Sequence, residues 1–141
     1  MQFRPGTPLA MAFESLGRLR ERWPGGGFSW DNRLQCVASS IHIDLVREGR
    51  AAAALALPFE WNMRNIMNAP APVREMAEQT GGIRPDQLLF SGEPFGLNIV
   101  YGLWWPWGDD VTISFRVGLA GPAVVRDDVQ SKFRDLFGAE L

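Results

Sequence analysis

The sequence VREMAEQTGGIRPDQLLFSGEPF, residues 73–95, contains a helix, a turn and a strand in succession. Its first apolar side chains recur at helical spacing, which predicts an amphipathic helix over residues 72–80. The pair Gly81-Gly82 ends that helix, because glycine readily takes the left-handed conformation of a helix C-terminus. The apolar run Leu88-Leu89-Phe90 then predicts a short strand. This succession indicates an α+β domain in which the helix lies across a sheet.

Two strands and a helix are predicted after this segment. Residues 97–105 are largely apolar, and residues 111–119 alternate Val, Ile and Phe with Thr, Ser and Arg. Such alternation is typical of a strand with one buried face and one solvent-exposed face. The turn Gly108-Asp109-Asp110 separates the two strands. Residues 123–137 carry apolar side chains at helical spacing and predict a final amphipathic helix.

Residues 33–57 fit two patterns. Their apolar residues form a helical stripe, yet isoleucine and leucine also alternate with polar residues, as in a half-buried strand. Two β-branched residues favour a strand over residues 41–47, with residues 50–57 as its hairpin partner. The alanines at 51–54 count against this pairing, because alanine is the best helix former and a poor strand former.

The N-terminal part of the chain predicts a helix over residues 8–22. Thr7 can cap this helix, and Pro8 suits its first turn because no hydrogen bond is lost there. Residues 24–27, Pro-Gly-Gly-Gly, end the helix and provide a hinge. We therefore expect a helical arm over residues 1–30.

Composition restricts the classes of partner. The chain has 141 residues, of which 46% are hydrophobic and 21% charged, values that fit one globular domain. Its net charge of −2 gives no broad attraction to nucleic acid or to an acidic membrane. The apolar run at residues 51–59 is far shorter than the roughly 20 residues of a membrane span. We therefore expect neither a nucleic-acid partner nor a membrane partner.

Targeting and cysteine usage predict a cytoplasmic protein. No signal-peptide pattern opens the chain. The single cysteine, Cys36, excludes an internal disulfide and suits a reducing compartment. The basic residues are 13 arginines and one lysine, Lys132. Together with the abundant Ala, Gly and Pro, this bias is typical of a high-GC genome and suggests a bacterial protein.

Residues 73–92 resemble ubiquitin and its relatives at the join between that family's helix and third strand. Val73 and Ile83 are ten residues apart, as are the helix valine and the post-helix isoleucine of the family. The Pro-Asp-Gln turn, the Leu-Leu-Phe strand and Gly92 follow in the family's order, with a shorter connection before the strand. Residues 111–121 are similar to the family's alternating final strand and glycine-ended tail.

This resemblance implies a β-grasp fold, a mostly antiparallel sheet with one crossing helix. It would occupy residues 33–121, with the N-terminal helical arm (residues 1–30) before it and a C-terminal helical tail (residues 122–141) after it. Within this domain, the hairpin at residues 41–57 agrees with the family only in its pattern.

Two site residues also follow from the resemblance. Leu89 corresponds to the central aliphatic residue of the family's binding face, so it would be exposed and available to other proteins; the alternative is a fully buried strand. Gly121 would be the glycine conjugated through an isopeptide bond, after a protease removes residues 122–141. The processed protein would lack lysine, because Lys132 lies in the tail. The alternative is that Gly121 only ends a strand.

Three of the six tryptophans stand close together, at Trp104, Trp105 and Trp107. Tryptophan offers a large contact area at a small loss of conformational entropy, so an exposed cluster would be a strong protein-binding site. The alternative is that tryptophans alternating along a strand cover one edge of the core.

The sequence contains no recognisable catalytic, metal or cofactor site. His42 and Asp44 would share a strand face and form a pair able to orient a general base. No serine or cysteine nucleophile has a motif around it, and one histidine with one cysteine cannot supply the usual zinc ligands. We therefore predict that the protein is not an enzyme and has no cofactor.

Three functions remain, and the tail discriminates between the first two. The first is a ubiquitin-like modifier or protein-interaction module, partnered by activating and processing enzymes if it is conjugated. The second is a small cytoplasmic binding protein, such as an immunity protein or a secretion chaperone. The third is a small enzyme or ligand carrier with a tryptophan-lined pocket. A cleavable tail favours a modifier, and a packed tail helix favours a binding protein.

Overall fold

The computed structural model describes residues 4–139, so the ends of the predicted arm and tail lie outside the described residues. That range contains four α-helices, six β-strands and two short 3-10 helices, at Ile43–Leu45 and Ile66–Asn68. The helices are α1 (Pro8–Arg22), α2 (Val46–Ala54), α3 (Ala71–Gln79) and α4 (Asp127–Phe137). The strands are β1 (Ser29–Asp31), β2 (Cys36–His42), β3 (Phe59–Trp61), β4 (Leu88–Ser91), β5 (Ile99–Pro106) and β6 (Thr112–Ala120).

The strands form one sheet in the order β1-β2-β6-β5-β4-β3, and every neighbouring pair is antiparallel. β4, β5 and β6 are consecutive in sequence and adjacent in space, whereas β2 pairs with β6 across most of the chain. The predicted α+β class with an antiparallel sheet is therefore confirmed. The predicted helices at residues 8–22 and 72–80 and the predicted strands at 97–105 and 111–119 are found within two residues of their expected ends.

Three helices cover the first face of the sheet. The core on this face combines inward residues of α1, α2 and α4 with alternate residues of β2, β5 and β6. Trp23, at the end of α1, stacks on Phe115 with ring centroids 4.8 Å apart. Its indole nitrogen donates a 2.9 Å hydrogen bond to Ser39 Oγ. This bond fixes the end of α1 on the sheet because both partners are buried.

One helix, α3, covers part of the second face. Val73, Met76 and Ala77 on α3 pack against alternate residues of β4 and β5, including Leu89 and Tyr101. Arg116 and Ala38 are directly opposite each other on β6 and β2, and they belong to the same face. Both are only partly buried, because α3 lies over β4 and β5 and leaves this side of the sheet less covered.

The hairpin predicted at residues 41–57 is wrong. β2 ends at His42, whose Nδ1 accepts a hydrogen bond from the Asp44 N–H and begins the turn into α2. The alanines at 51–54 follow their helical propensity, and two of them are buried against the sheet. Gly49 lets α2 approach closely, since a Cβ atom there would lie 2.7 Å from Ile41 Cδ1. Helix packing thus overrides the strand-like alternation.

The last helix begins later than its periodicity indicates, at Asp127 rather than at residue 123. The preceding segment makes irregular turns, in which the Asn98 side chain accepts a hydrogen bond from the Ala123 N–H. Phe133 and Phe137 are fully buried in the same core as α1, so α4 belongs to the packed fold. None of the helices within residues 4–139 has the length and apolar character needed to cross a membrane.

Candidate functional site

The structure separates the three clustered tryptophans according to strand alternation. Trp104 points into the first core and is 3% exposed, packing edge-on against Phe115 and Phe90. Trp105 lies on the second face and is partly buried. Trp107 is 53% exposed. Its N–H still donates to the Thr112 carbonyl, so the alternation continues and places Trp107 on the same side as Trp105.

The area that α3 leaves uncovered on the second face carries three small hydroxyl side chains together with two tryptophans, a histidine and an arginine. Ser40, Ser114 and Trp105 lie side by side on β2, β6 and β5. In the next row His42 lies opposite Thr112. We call this surface the open face, and it comprises Ser40, His42, Trp105, Trp107, Thr112 and Arg116, together with Ser114, which is buried and accepts a hydrogen bond from Arg116. Of the two tryptophans on the β5 side, Trp105 is partly buried and Trp107 is exposed.

Arg116 lies across the open face and is fixed by three contacts. Its Nε donates to Asp31 Oδ2 at 3.1 Å, and its Nη1 donates to Ser114 Oγ. Its guanidinium carbon lies 5.1 Å from the centre of the Trp105 ring, in the geometry of a cation–π contact. The side chain of Arg116 is 22% exposed and that of Asp31 is 15% exposed. The planar guanidinium group is thus held in one orientation.

Asp31 is itself held by the backbone of the β1–β2 turn. Its Oδ1 accepts hydrogen bonds from the N–H groups of Arg33 and Leu34, at 2.9 and 3.1 Å. Burial alone would raise the pKa of Asp31, but these bonds and the Arg116 guanidinium outweigh burial and hold the pKa below its usual value. Asp31 therefore stays ionised near neutral pH and keeps Arg116 in place.

Two titratable groups beneath this surface are unsuited to react. Cys36 is fully buried, and burial raises the pKa of its thiol to about 12, with the Asp31 charge acting in the same direction. Burial also raises the pKa of the Tyr101 hydroxyl. A neutral, inaccessible thiol is a weak nucleophile, because the thiolate is the reactive form.

His42 and Asp44 lie close together, with Nδ1 and Oδ2 3.3 Å apart. The prediction that they share a strand face is wrong, because β2 ends at His42 and Asp44 lies in the following 3-10 helix. Their side chains are 52% and 85% exposed, so the pair is a surface contact. In the described part of the chain, His, Cys, Asp and Glu residues nowhere form a group of three that could hold a metal ion. Asp109 accepts hydrogen bonds from Val111 N–H and from Thr112 Oγ1, and so serves the β5–β6 turn.

The expectation that Leu89 is exposed is wrong. Leu89 is 1% exposed and packs in the second core against α3. Its neighbour Phe90 points to the first face and is 3% exposed. The alternative of a strand buried on both faces therefore describes β4, because Leu89 packs in the second core and Phe90 packs against Trp104 and Phe115 in the first.

Gly121 lies in a turn that packs against Asn98. It has a φ of +124°, and a Cβ atom there would come within 2.6 Å of Asn98 Cα, so only glycine fits. Asn98 is 8% exposed; it donates to the Phe95 carbonyl and accepts from the Ala123 N–H. The structure thus explains why a glycine ends β6 at position 121. The role of Gly121 in conjugation stays a prediction.

The sequence analysis missed the importance of Arg116 and Asp31. The alternation of residues 111–119 does place Arg116 on the solvent-exposed face of the strand. Asp31, however, is 85 residues away in the chain. Nothing local indicates that the two meet. Comparisons of this chain with protein-family models, with curated proteins and with solved structures found no match. The chemistry of the open face is therefore the basis for a functional assignment.

Proposed function

We propose that this protein is a non-catalytic protein-interaction module that binds a partner protein on its open face. The observation that supports this most is the exposed Trp107 beside Trp105, with Arg116 stacked on Trp105 and tied to Asp31. Tryptophan and arginine are the residue types most enriched where protein interfaces derive their binding energy. Arg116 needs little further ordering on binding, so little conformational entropy is lost.

The charges of the open face support a protein partner over a nucleic acid. Arg116 is paired with Asp31. His42 Nδ1 accepts a hydrogen bond from the Asp44 N–H and so carries no proton there. The surface therefore carries no excess of positive charge to neutralise phosphates, in line with the net charge of −2. The exposed Ser40 hydroxyl is suited to donate or accept a hydrogen bond with a partner. The Thr112 hydroxyl already donates to Asp109 and can only accept one.

The packing of α4 favours a binding protein that acts with its tail in place. Phe133 and Phe137 of α4 contact Phe13 and Phe28, with ring centroids 6.4 and 4.8 Å apart respectively. Cleavage after Gly121 would remove both phenylalanines from the core. A small binding protein, such as an immunity protein or a secretion chaperone, is therefore our first assignment.

A ubiquitin-like modifier is the second candidate, and one observation supports it. The helix, the glycine-ended turn and the strand that resemble the family fold in the expected order, with Gly81 and Gly82 at positive φ. The β-grasp arrangement itself remains a proposal, because a helix occupies residues 46–54, where the second strand of the first hairpin was expected.

Capture from native cells tests the first assignment. The full-length protein would be tagged and compared with Trp107→Ala and with Met67→Ala, which removes another exposed side chain, 76% exposed, from the 3-10 helix before α3. We expect Trp107→Ala to weaken the affinity for the purified partner by more than about tenfold. Met67→Ala should bind as the unaltered protein does.

Two results would count against the assignment. If Trp107→Ala and Met67→Ala bound the partner with equal affinity, the binding site would lie outside the open face. An intact mass that ends at Gly121 in native cells would instead support the modifier.

A further inference from the structure

A second apolar surface lies at the opposite end of β5 from the tryptophans and consists of two grooves. The first groove, about 350 Å³, lies between the start of α1 and the β4–β5 loop, and its apolar lining includes Met11, Ala12 and Val100. The second, about 140 Å³, lies beside edge strand β3 and is lined by Phe59 and Trp61, among others. The second groove is smaller than typical small-molecule sites of about 300–1,000 Å³, and the first is at the lower end of that range. Both are wide enough to admit an apolar side chain.

The two grooves share one wall, formed by Gly92, Glu93 and Pro94. Met11 and Phe59, on either side of this wall, are 57% and 41% exposed. Exposed apolar side chains that line adjoining grooves are typical of interaction surfaces. The surface is independent of the open face, because it shares no residue with it.

The shared wall is rigid. The Gly92 N–H donates to the Val100 carbonyl at 3.0 Å, and Phe95 and Asn98 exchange two backbone hydrogen bonds in a tight turn. Phe95 also packs against the first core. The grooves therefore exist before binding, which reduces the entropy lost when a partner enters them.

Glu93 supplies the charge of this surface. It is the one ionisable side chain that lines either groove, and it is exposed. Arg50 and Glu60 pair with each other nearby, whereas Glu93 takes part in none of the ion pairs found among residues 4–139. An unpaired carboxylate between two apolar grooves is complementary to a cation flanked by apolar side chains.

We propose that the paired grooves bind an extended segment of a partner protein in which a Lys or Arg is flanked by apolar residues. The apolar side chains enter the grooves on either side of the wall, and the cation reaches Glu93. With the open face occupied separately, the protein would bridge two polypeptides.

Selection from a library of random peptides displayed on phage, against the immobilised full-length protein, tests this inference. We expect the selected peptides to share a Lys or Arg between apolar residues. The affinity of one synthetic selected peptide is then measured for the unaltered protein and for two variants. Glu93→Gln should weaken binding by about fivefold, as expected for an exposed ion pair. Phe59→Ala should weaken it by about tenfold, because an anchor is lost.

Glu78→Gln is the matched control, because Glu78 is an exposed glutamate on α3, away from both grooves. The inference is overturned if no basic-apolar peptides are enriched, or if Glu93→Gln and Glu78→Gln bind the peptide equally well. Trp107→Ala should bind the peptide normally, so this result is independent of whether the open face binds a protein.

Discussion

At the scale of single residues, Asp31 and Arg116 organise the open face. The β1–β2 turn fixes Asp31, Asp31 fixes Arg116, and Arg116 covers Trp105. The side chains of Asp31 and Arg116 are both largely excluded from water. Removing the charge of either residue would therefore leave the charge of the other without a partner. The stability of this arrangement should therefore depend on the ionisation of Asp31.

The substitution Asp31→Asn, compared with the unaltered protein at several pH values, tests whether stability depends on the ionisation of Asp31. The pKa of Asp31 is lower in the folded protein than the value of about 3.9 in the unfolded chain. The ionised carboxylate therefore stabilises the fold fully at pH values above about 3.9. This contribution is lost as the pH falls through the pKa of the folded state. We expect Asp31→Asn to lower the free energy of unfolding by about 1–2 kcal/mol at pH 7. The difference should shrink as pH falls below about 4. Urea unfolding at several pH values measures it.

Asp44→Asn serves as the control for this experiment, because the Asp44 side chain is 85% exposed. We expect it to change the free energy of unfolding by well under about 1 kcal/mol. A loss of stability in Asp31→Asn that did not change with pH would show that charge on Asp31 is not what holds Arg116.

Cys36 should be inert in the folded protein. The thiol is fully buried and its pKa is about 12, so almost no thiolate is present or accessible at pH 8. We expect a disulfide reagent such as Ellman's reagent to leave the native protein unmodified and to react with one thiol after unfolding in urea. Rapid reaction of the native protein would contradict the burial of β2.

At the scale of elements, close approaches determine how the helices and strands pack. Gly102 on β5 leaves room for the Phe115 ring and for Leu57 beneath the sheet. Gly49 likewise lets α2 lie close to β2. These glycines are needed for space, since neither has a positive φ.

Gly102→Ala should therefore destabilise the protein. The added Cβ would lie 2.7 Å from Phe115 Cε1 and 2.8 Å from Leu57 Cδ1, which forces rearrangement of the core. We expect the free energy of unfolding to fall by about 1–3 kcal/mol. Gly108→Ala, where nothing lies within 4 Å of the added Cβ, should leave stability nearly unchanged. Chemical denaturation compares the two, and equal stabilities would show that the core tolerates the larger residue.

Some helices and strands can be predicted from local sequence patterns, and others cannot. α1 and α3 are predictable because capping residues and apolar spacing act locally, and β6 because its alternation is strict. The sequence pattern predicts a strand where α2 forms, because a short apolar run fits both periods. The packing of α2 on Trp104 is a tertiary effect that no local pattern contains. The exposure of Trp107 and the burial of Leu89 depend on where α3 lies, which no local pattern specifies.

At the scale of the whole molecule, both terminal helices are parts of one core. α1 and α4 contact each other and the sheet through Phe13, Phe133 and Phe137, and Arg134 of α4 lies 5.1 Å from the ring centre of Trp30 on β1. The helices α1 and α4 thus cover the first face together, and the loss of α4 should affect the entire fold.

Truncation after Gly121 tests this coupling. It removes Phe133 and Phe137, and the loss of a buried phenylalanine costs about 3–5 kcal/mol even when only its side chain is truncated. Two such losses are comparable to the whole stability of a typical domain, about 5–15 kcal/mol. We therefore expect the truncated chain to lack a cooperative thermal transition by circular dichroism. A truncated protein that unfolds cooperatively at the full-length temperature would support the processed modifier.

The most direct test of the open face as a protein-binding surface is site-specific photocrosslinking in native cells. A photoreactive amino acid would replace Trp107 in one protein and Met67 in another, both exposed positions on different parts of the molecule. We expect a discrete adduct with one other protein from position 107, at a mass that includes the full-length chain, and no such adduct from position 67. Equal labelling from both positions, or no adduct from position 107, would contradict the proposed function.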